Sequence, residues 1–256
     1  MALRLQTASS TFFAQKMDIH LHHTPLPHAE HHSTTSELLQ DIVIGMSDGL
    51  TVPFALTAGL SGAVASTGIV ITAGLAEIAA GSIAMGLGGY LAGKTAVEHY
   101  ENERKREYRE VEEVPEVERK EVMDFFAEVG LSLESQTRIA DELSRDKDKW
   151  VDFMMRFELG LEQPDANRAT KSALTIGLSY VAGGMVPLLP YFFVSEAHAA
   201  LLWSALLTTI FLFIFGWVKS RATGQQPFWG ALRMTMIGII AAGSAYLIAK
   251  AIEGGW

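Results

Sequence analysis

The sequence predicts an all-α, polytopic membrane protein: five transmembrane helices, with a helical insert between the second and the third. Charge segregation is the first reason. The chain is 49% hydrophobic and its mean hydropathy is +0.20. Yet between Ile42 and Gly93 the only charges are Asp48 and Glu77, between Ser172 and Val218 only Glu196, and between Met234 and Ala249 none. Run length is the second reason, since a bilayer-spanning helix needs about 20 mostly apolar residues. The third is the placement of Lys and Arg, which are absent from alternate connections.

Taken in order, the first apolar run divides at the turn-like Ser61–Thr67 into spans of about 38–60 and 68–93. The second divides near Ser195–His198 into about 172–194 and 199–218, and the last stretch supplies a fifth span, about 228–250. A soluble protein with five buried core helices is the competing reading. Hydrocarbon-length runs with so few charges argue against it. Arg4 and Lys16 precede span 1, most of the remaining Lys and Arg lie between spans 2 and 3, and Lys219, Arg221 and Arg233 lie between spans 4 and 5. The loops at 61–67 and 195–198 hold none. With a cytosolic N-terminus, every basic segment except Lys250 falls on one side, which makes the insert cytosolic and the C-terminus luminal. The expected organisation is a His-rich, disordered tail (1–36), spans 1–2 (37–93), the cytosolic insert (94–168) and spans 3–5 (169–256).

The tail contains six of the eight histidines, His20, His22, His23, His28, His31 and His32. It has no apolar core ahead of a small-residue cleavage site, so it does not read as a secretory signal. Such a tract can capture metal or be a plain polar tail. The chain has no cysteine, so a metal site here has only carboxylate, imidazole, thioether or backbone oxygen to draw on.

Span 2 has no stop before the charges begin. Lys94–Val114 lacks Gly and Pro and is rich in helix formers, so one helix should run out of the membrane as far as Pro115. Proline suits a helix's first turn, which predicts a new helix over about 116–129, ending at Gly130. Ser132 with Glu134 marks a third start, running to about Asp146, and a fourth helix, about 148–160, ends at Gly160. Val122, Phe125, Phe126, Leu133, Ile139, Leu143, Phe153 and Phe157 are the expected core.

Glu107/Glu110 and Glu118/Glu121 are each spaced i,i+3, so each pair projects from one helix face, and two such helices can bring four carboxylates together. Met154, Met155 and Glu158 follow, with Glu158 one turn beyond Met154. Carboxylates joined by thioethers form an oxygen-rich, slightly soft site that suits a first-row divalent metal better than Mg²⁺ or Ca²⁺. A solvated, salt-bridged surface is the alternative for the same acids.

Asp48 and Glu77 each lie about ten residues into antiparallel spans, so at 1.5 Å per residue both reach the bilayer midplane. Ionisable groups there are costly and functional by default, although a paired acid can also serve helix packing. Pro53 has no N–H and leaves the Gly49 carbonyl without its helical partner, which with Ser47 and Thr51 makes a polar notch that interrupts span 1. Met85, about 12 Å from Glu77 along the helix, adds a thioether. The glycines of span 2 (Gly74, Gly81, Gly86, Gly88 and Gly89) suit close helix approach, in a tight bundle or an oligomer.

These residues resemble the vacuolar iron transporter family, in the manner of a plant member, over about residues 37–251. The carriers are Asp48-Gly-Leu-Thr-Val-Pro53-Phe, Glu77-Ile-Ala-Ala-Gly-Ser-Ile-Ala-Met85-Gly and the Glu-rich insert. The resemblance implies five transmembrane helices per subunit, a homodimer with its pathway at the subunit interface, and exchange of cytosolic Fe²⁺ for protons. By motif match it implies Glu107, Glu110, Glu118, Glu121, Met154, Met155 and Glu158 as metal residues of the insert, and Asp48, Glu77 and Met85 as pathway residues. It also implies the vacuolar membrane. The expected function is therefore transport rather than catalysis, with Fe²⁺ as substrate, Mn²⁺, Co²⁺ or Zn²⁺ as possible substitutes, protons and lipid as partners, and no nucleic acid. The alternative is a membrane-anchored di-iron carboxylate enzyme, or an iron-storage or sensing module. Di-iron four-helix sites use Glu-x-x-His pairs, and His99 is not three residues after a glutamate.

Overall fold

The computed structural model describes residues 32–64 and 66–254, and the histidines from His20 to His31 lie outside them. The described chain is helical, with an isolated bridge between Ser66 and Glu196 pinning two connections together. The helices are α1 (His32–Ala63), α2 (Thr67–Glu113), α3 (Pro115–Glu128), α4 (Leu133–Leu143), α5 (Lys147–Phe153), α6 (Arg168–Leu188), α7 (Ala197–Ala222) and α8 (Pro227–Gly254). Five of them, α1, α2, α6, α7 and α8, are long and apolar enough to cross a membrane.

In the bundle α1 is central. It packs on α6 and α8, α2 lies mainly against α6 and also touches α1, and α7 pairs with α8. Glycines set the contact distances. A Cβ on Gly49 would sit 2.4 Å from the Tyr180 carbonyl oxygen, and one on Gly183 would sit 3.0 Å from the carbonyl carbon of Gly49, so α1 and α6 cross backbone to backbone. On α2, Gly74, Gly81, Gly86, Gly89 and Gly93 all face α6, whereas Gly88 has nothing within 4 Å. Most of the small residues of span 2 therefore serve packing inside the subunit. The opposite face of α2 is an open apolar stripe that includes Ile83, Leu87 and Leu91.

One expectation is corrected here. Span 1 is not interrupted: α1 runs through Pro53 without a break. Pro53 is buried against α6, where Gly184 leaves it room, and packing on neighbouring helices compensates for a lost backbone hydrogen bond.

The insert follows the predicted punctuation. α2 is a single helix of 47 residues, about 70 Å long, whose last 20 residues extend roughly 30 Å beyond Gly93. Val114 caps it, and Pro115 opens α3. Gly130 and Gly160 end helices with φ of 91° and 63°, conformations that glycine adopts without a Cβ clash. Ser132 caps α4 by accepting from the Ser135 N–H, and Asp146 caps α5 by accepting from Lys149.

Three details differ from expectation. The third helix stops at Leu143, because Asp146 is taken up as the next cap. The fourth helix opens into a π-helical turn, Met154–Glu158, closed by the Leu159 N–H on the Met154 carbonyl at 3.1 Å. Leu133 and Phe157 are exposed at 68% and 49%. Val122 is in the core as expected, with Val111, Ala140, Trp150, Val151, Met154 and Met155, and the expected Phe126, Leu143 and Phe153 pack against it.

Candidate functional site

Three helices supply the carboxylates of the insert. Glu107 comes from the distal part of α2, Glu118 from the first turn of α3 just past the Pro115 break, and Glu158 from the end of the π turn. One oxygen from each lies within 4.8 Å of the others. Glu107 and Glu118 are buried at 2% and 4% exposure, while Glu158 is exposed. Oε2 of both Glu107 and Glu118 is buried with no partner among the described residues. The π turn matters because it widens the helix where Glu158 must swing back toward Glu107, and such turns favour functional positions.

The electrostatics follow from this crowding. Desolvation, and then the charge of Glu121 ahead of that of Glu107, pushes the Glu118 carboxyl up to about 7. Glu158 is likewise pushed up to about 7, first by desolvation of its inner side and then by Glu121 and Glu107. Burial also raises Glu107, with Glu110 adding to it and Arg106 opposing. Arg106 is the basic neighbour. It pairs with Glu103 at 2.7 Å, with Glu110 at 3.3 Å and, weakly, with Glu107 at 3.5 Å. Three carboxyls this close are stable only when protons or a cation neutralise them.

Glu110 is half-exposed and engaged by Arg106. Glu121 is half-buried, near enough for its charge to act on Glu118 and Glu158. Met154 and Met155 are each 1% exposed and belong to the insert core, immediately before Glu158 in the same turn. The structure thus gathers Glu107, Glu118 and Glu158 directly, with Glu110 and Glu121 close enough for their charges to act on them.

In the bundle Asp48 and Glu77 are both half-buried. Glu77 accepts a hydrogen bond at Oε1 from the Tyr180 hydroxyl on α6, and its Oε2 is buried without a partner among the described residues. Thr51 donates to the Ser47 carbonyl at 2.8 Å beside Asp48. Met85 lies on the wall of a cavity of ≈ 830 Å³ between α1, α2 and α6, below the segment returning from the insert, with Glu37, Asp41, Glu162 and Arg168 around it.

Sequence reasoning missed Tyr180 and the Asp41–Arg168 pair. A tyrosine within the small-residue run Gly177–Gly184 was a usable signal, whereas Asp41 stands one residue outside the apolar run that the charge pattern delimits.

Comparison with known proteins places these features in context. A family model described as the VIT family matches residues 39–250. The chain is 51% identical over 240 residues to "Vacuolar iron transporter 1" of Oryza sativa subsp. japonica, covering 94% of each chain. It is 50% identical over 226 residues to "Vacuolar iron transporter 1" of Arabidopsis thaliana, covering 88% of this chain and 90% of the relative. "Protein CCC1" of Saccharomyces cerevisiae is 38% identical over 226 residues, covering 85% of this chain and 70% of the relative.

Proposed function

Because the chain belongs to the VIT family, we propose that it is a multi-pass protein of the vacuolar membrane that moves cytosolic Fe²⁺ into the vacuole in exchange for protons. The observation that carries this reading is the convergence of Glu107, Glu118 and Glu158 within 4.8 Å. It lies at the head of a bundle that holds two further acids, Asp48 and Glu77, in its spans. The relatives are named as iron transporters, and none of these groups needs to act on a covalent bond.

In this reading the insert is a cytosolic metal-binding domain of residues 94–168. Glu107, Glu118 and Glu158 hold the ion, Glu110 and Glu121 supply further oxygens, and Met154 and Met155 offer thioethers from the adjoining turn. The cavity beside Met85 is the passage from the insert to the membrane path. Asp48 and Glu77 are the stations within it. Metal and proton compete for the same carboxylate oxygens, so an ion leaving the midplane is replaced by protons from the acidic lumen. The N-terminus faces the cytosol and the C-terminus the lumen, on the basis of the Lys and Arg distribution. The subunit works as a homodimer: the open stripe of α2, with Ile83 71% exposed, is a surface for the second copy. Mn²⁺, Co²⁺ and Zn²⁺ are possible substitutes for Fe²⁺, because ligand softness alone separates them poorly.

The test is Fe²⁺ flux into proteoliposomes with an acidic interior. Wild-type protein should transport faster as the interior is made more acidic, and Asp48→Ala should insert and assemble but not transport. Glu77→Gln should turn over slowly with a weakened dependence on the gradient. Wild-type flux indifferent to the gradient would replace antiport with a channel or uniport mechanism.

A further inference from the structure

Glu77 does not stand alone in its helix pair. The phenol that reaches it belongs to Tyr180, a residue only 2% exposed, which donates to Oε1. Two glycines on different helices hold Tyr180 in place. On α2, a Cβ at Gly81 would come within 2.5 Å of the phenol oxygen, so the ring tip occupies space that only glycine leaves free. On α1, Gly49, the neighbour of Asp48, packs directly on the Tyr180 backbone. Tyr180 is therefore fixed between the two helices that carry the midspan acids, its backbone on α1 and its ring tip on α2, where the hydroxyl donates to Glu77. The result at Glu77 is asymmetric: Oε1 is occupied, and Oε2 is buried and open.

We infer that Tyr180 is a positioning residue for transport, holding Glu77 so that it meets a passing divalent cation with one oxygen rather than two. This rests on the reading of Glu77 as a pathway residue. A carboxylate with both oxygens free can bind in bidentate fashion, which suits a large, loosely coordinated ion such as Ca²⁺. A single fixed oxygen favours the shorter, better-ordered contacts of small first-row ions. Tyr180 thereby contributes to cation choice as well as to affinity.

The experiment measures Fe²⁺ uptake by the full chain in proteoliposomes, with Ca²⁺ as competitor. Tyr180→Phe keeps the ring and removes the donor. KM for Fe²⁺ should rise about fivefold with the maximal rate within about twofold, since the loss is of preorganised binding. The Ca²⁺ concentration that halves uptake should fall by a similar factor, as bidentate binding becomes available. In a Glu77→Asp background, where the shortened carboxylate is out of reach of the phenol, Tyr180→Phe should change neither quantity further.

An unchanged KM in Tyr180→Phe, a fall in rate alone, or equal increments in both backgrounds would overturn the inference, because a ring that only fills space has no coupling to residue 77. Glu77→Gln with wild-type kinetics would instead remove Glu77 from the pathway, and the inference with it. If Tyr180→Phe does not assemble, Gly81→Ala, which displaces the phenol while keeping it, is judged by the same KM and Ca²⁺ criteria.

Discussion

Arg168 grips Asp41 with both guanidinium arms, Nη1 to Oδ2 at 2.6 Å and Nη2 to Oδ1 at 3.2 Å, across the ends of α6 and α1 nearest the insert. Ser172 adds a third contact to Asp41 at 3.1 Å, and Glu37 meets Arg168 at 3.4 Å. Asp41 is 3% exposed, so these contacts replace the water its oxygens have lost. Arg168→Ala should cost about 3 kcal/mol, the low end for breaking a buried pair, since Arg168 retains some contact with solvent. Arg168→Lys should recover only part of that, lacking the two-pronged geometry. Thermal melting of the detergent-solubilised protein is the measurement.

The gathering of Glu107, Glu118 and Glu158 ranks the acids of the insert. Glu118→Gln with Glu158→Gln should weaken Co²⁺ binding by about tenfold for each carboxylate lost, roughly 1.4 kcal/mol apiece. Glu110→Gln, outside the trio and already engaged by Arg106, should cost less. Calorimetry on the full-length protein distinguishes this order from an equal contribution of all the acids.

Proton competition should be visible near neutrality. Glu118 and Glu158 are both raised to about 7, so metal must displace protons from them below that pH. Apparent affinity should fall by up to about a hundredfold per pH unit below 7, one factor of ten for each proton released. Without metal, the sign for stability is the reverse. Carboxyls with raised folded-state values contribute stability that is full below their ordinary range near 4.5 and lost as pH rises through about 7. In chelator, amide-exchange protection factors at Trp150 and Val151, corrected for the base-catalysed intrinsic rate, should therefore be larger at pH 5.5 than at pH 8, and Co²⁺ should restore protection at pH 8.

Close helix contact can be tested with one methyl group. Gly49→Ala places a Cβ 2.4 Å from a backbone oxygen of α6, which cannot rotate aside, so α1 and α6 must separate at a cost of about 1–3 kcal/mol. Gly243→Ala on α8 has nothing within 4 Å and should be neutral or slightly stabilising through helix propensity. Melting temperature and monodispersity report both.

Met85→Leu retains size and apolarity while deleting sulfur. Uptake should fall for Fe²⁺ more than for the harder Mn²⁺ if the thioether contacts the ion. Equal loss for both ions in competition flux assays would assign Met85 to packing of the cavity wall.

The sequence by itself determined the number and order of the spans, the exit of span 2 as one long helix, and the breaks at Pro115, Gly130 and Gly160. All of these depend on local properties: the length of an apolar run, the missing N–H of proline, the open φ of glycine. It also singled out Glu107/Glu110, Glu118/Glu121 and Glu158 with Met154 and Met155, because residues at turn spacing are visible in one dimension. Only the tertiary structure decided that Glu158 rather than Glu121 completes the closest trio, since that depends on a π turn and on how α3 folds back at Val114. It alone placed Tyr180 on Glu77 and Arg168 on Asp41, contacts spanning 103 and 127 residues. It also turned most of the glycines of α2 toward α6. Partners so distant in sequence meet because glycine-lined helices approach backbone to backbone, and which faces meet is set by the packing of the whole bundle.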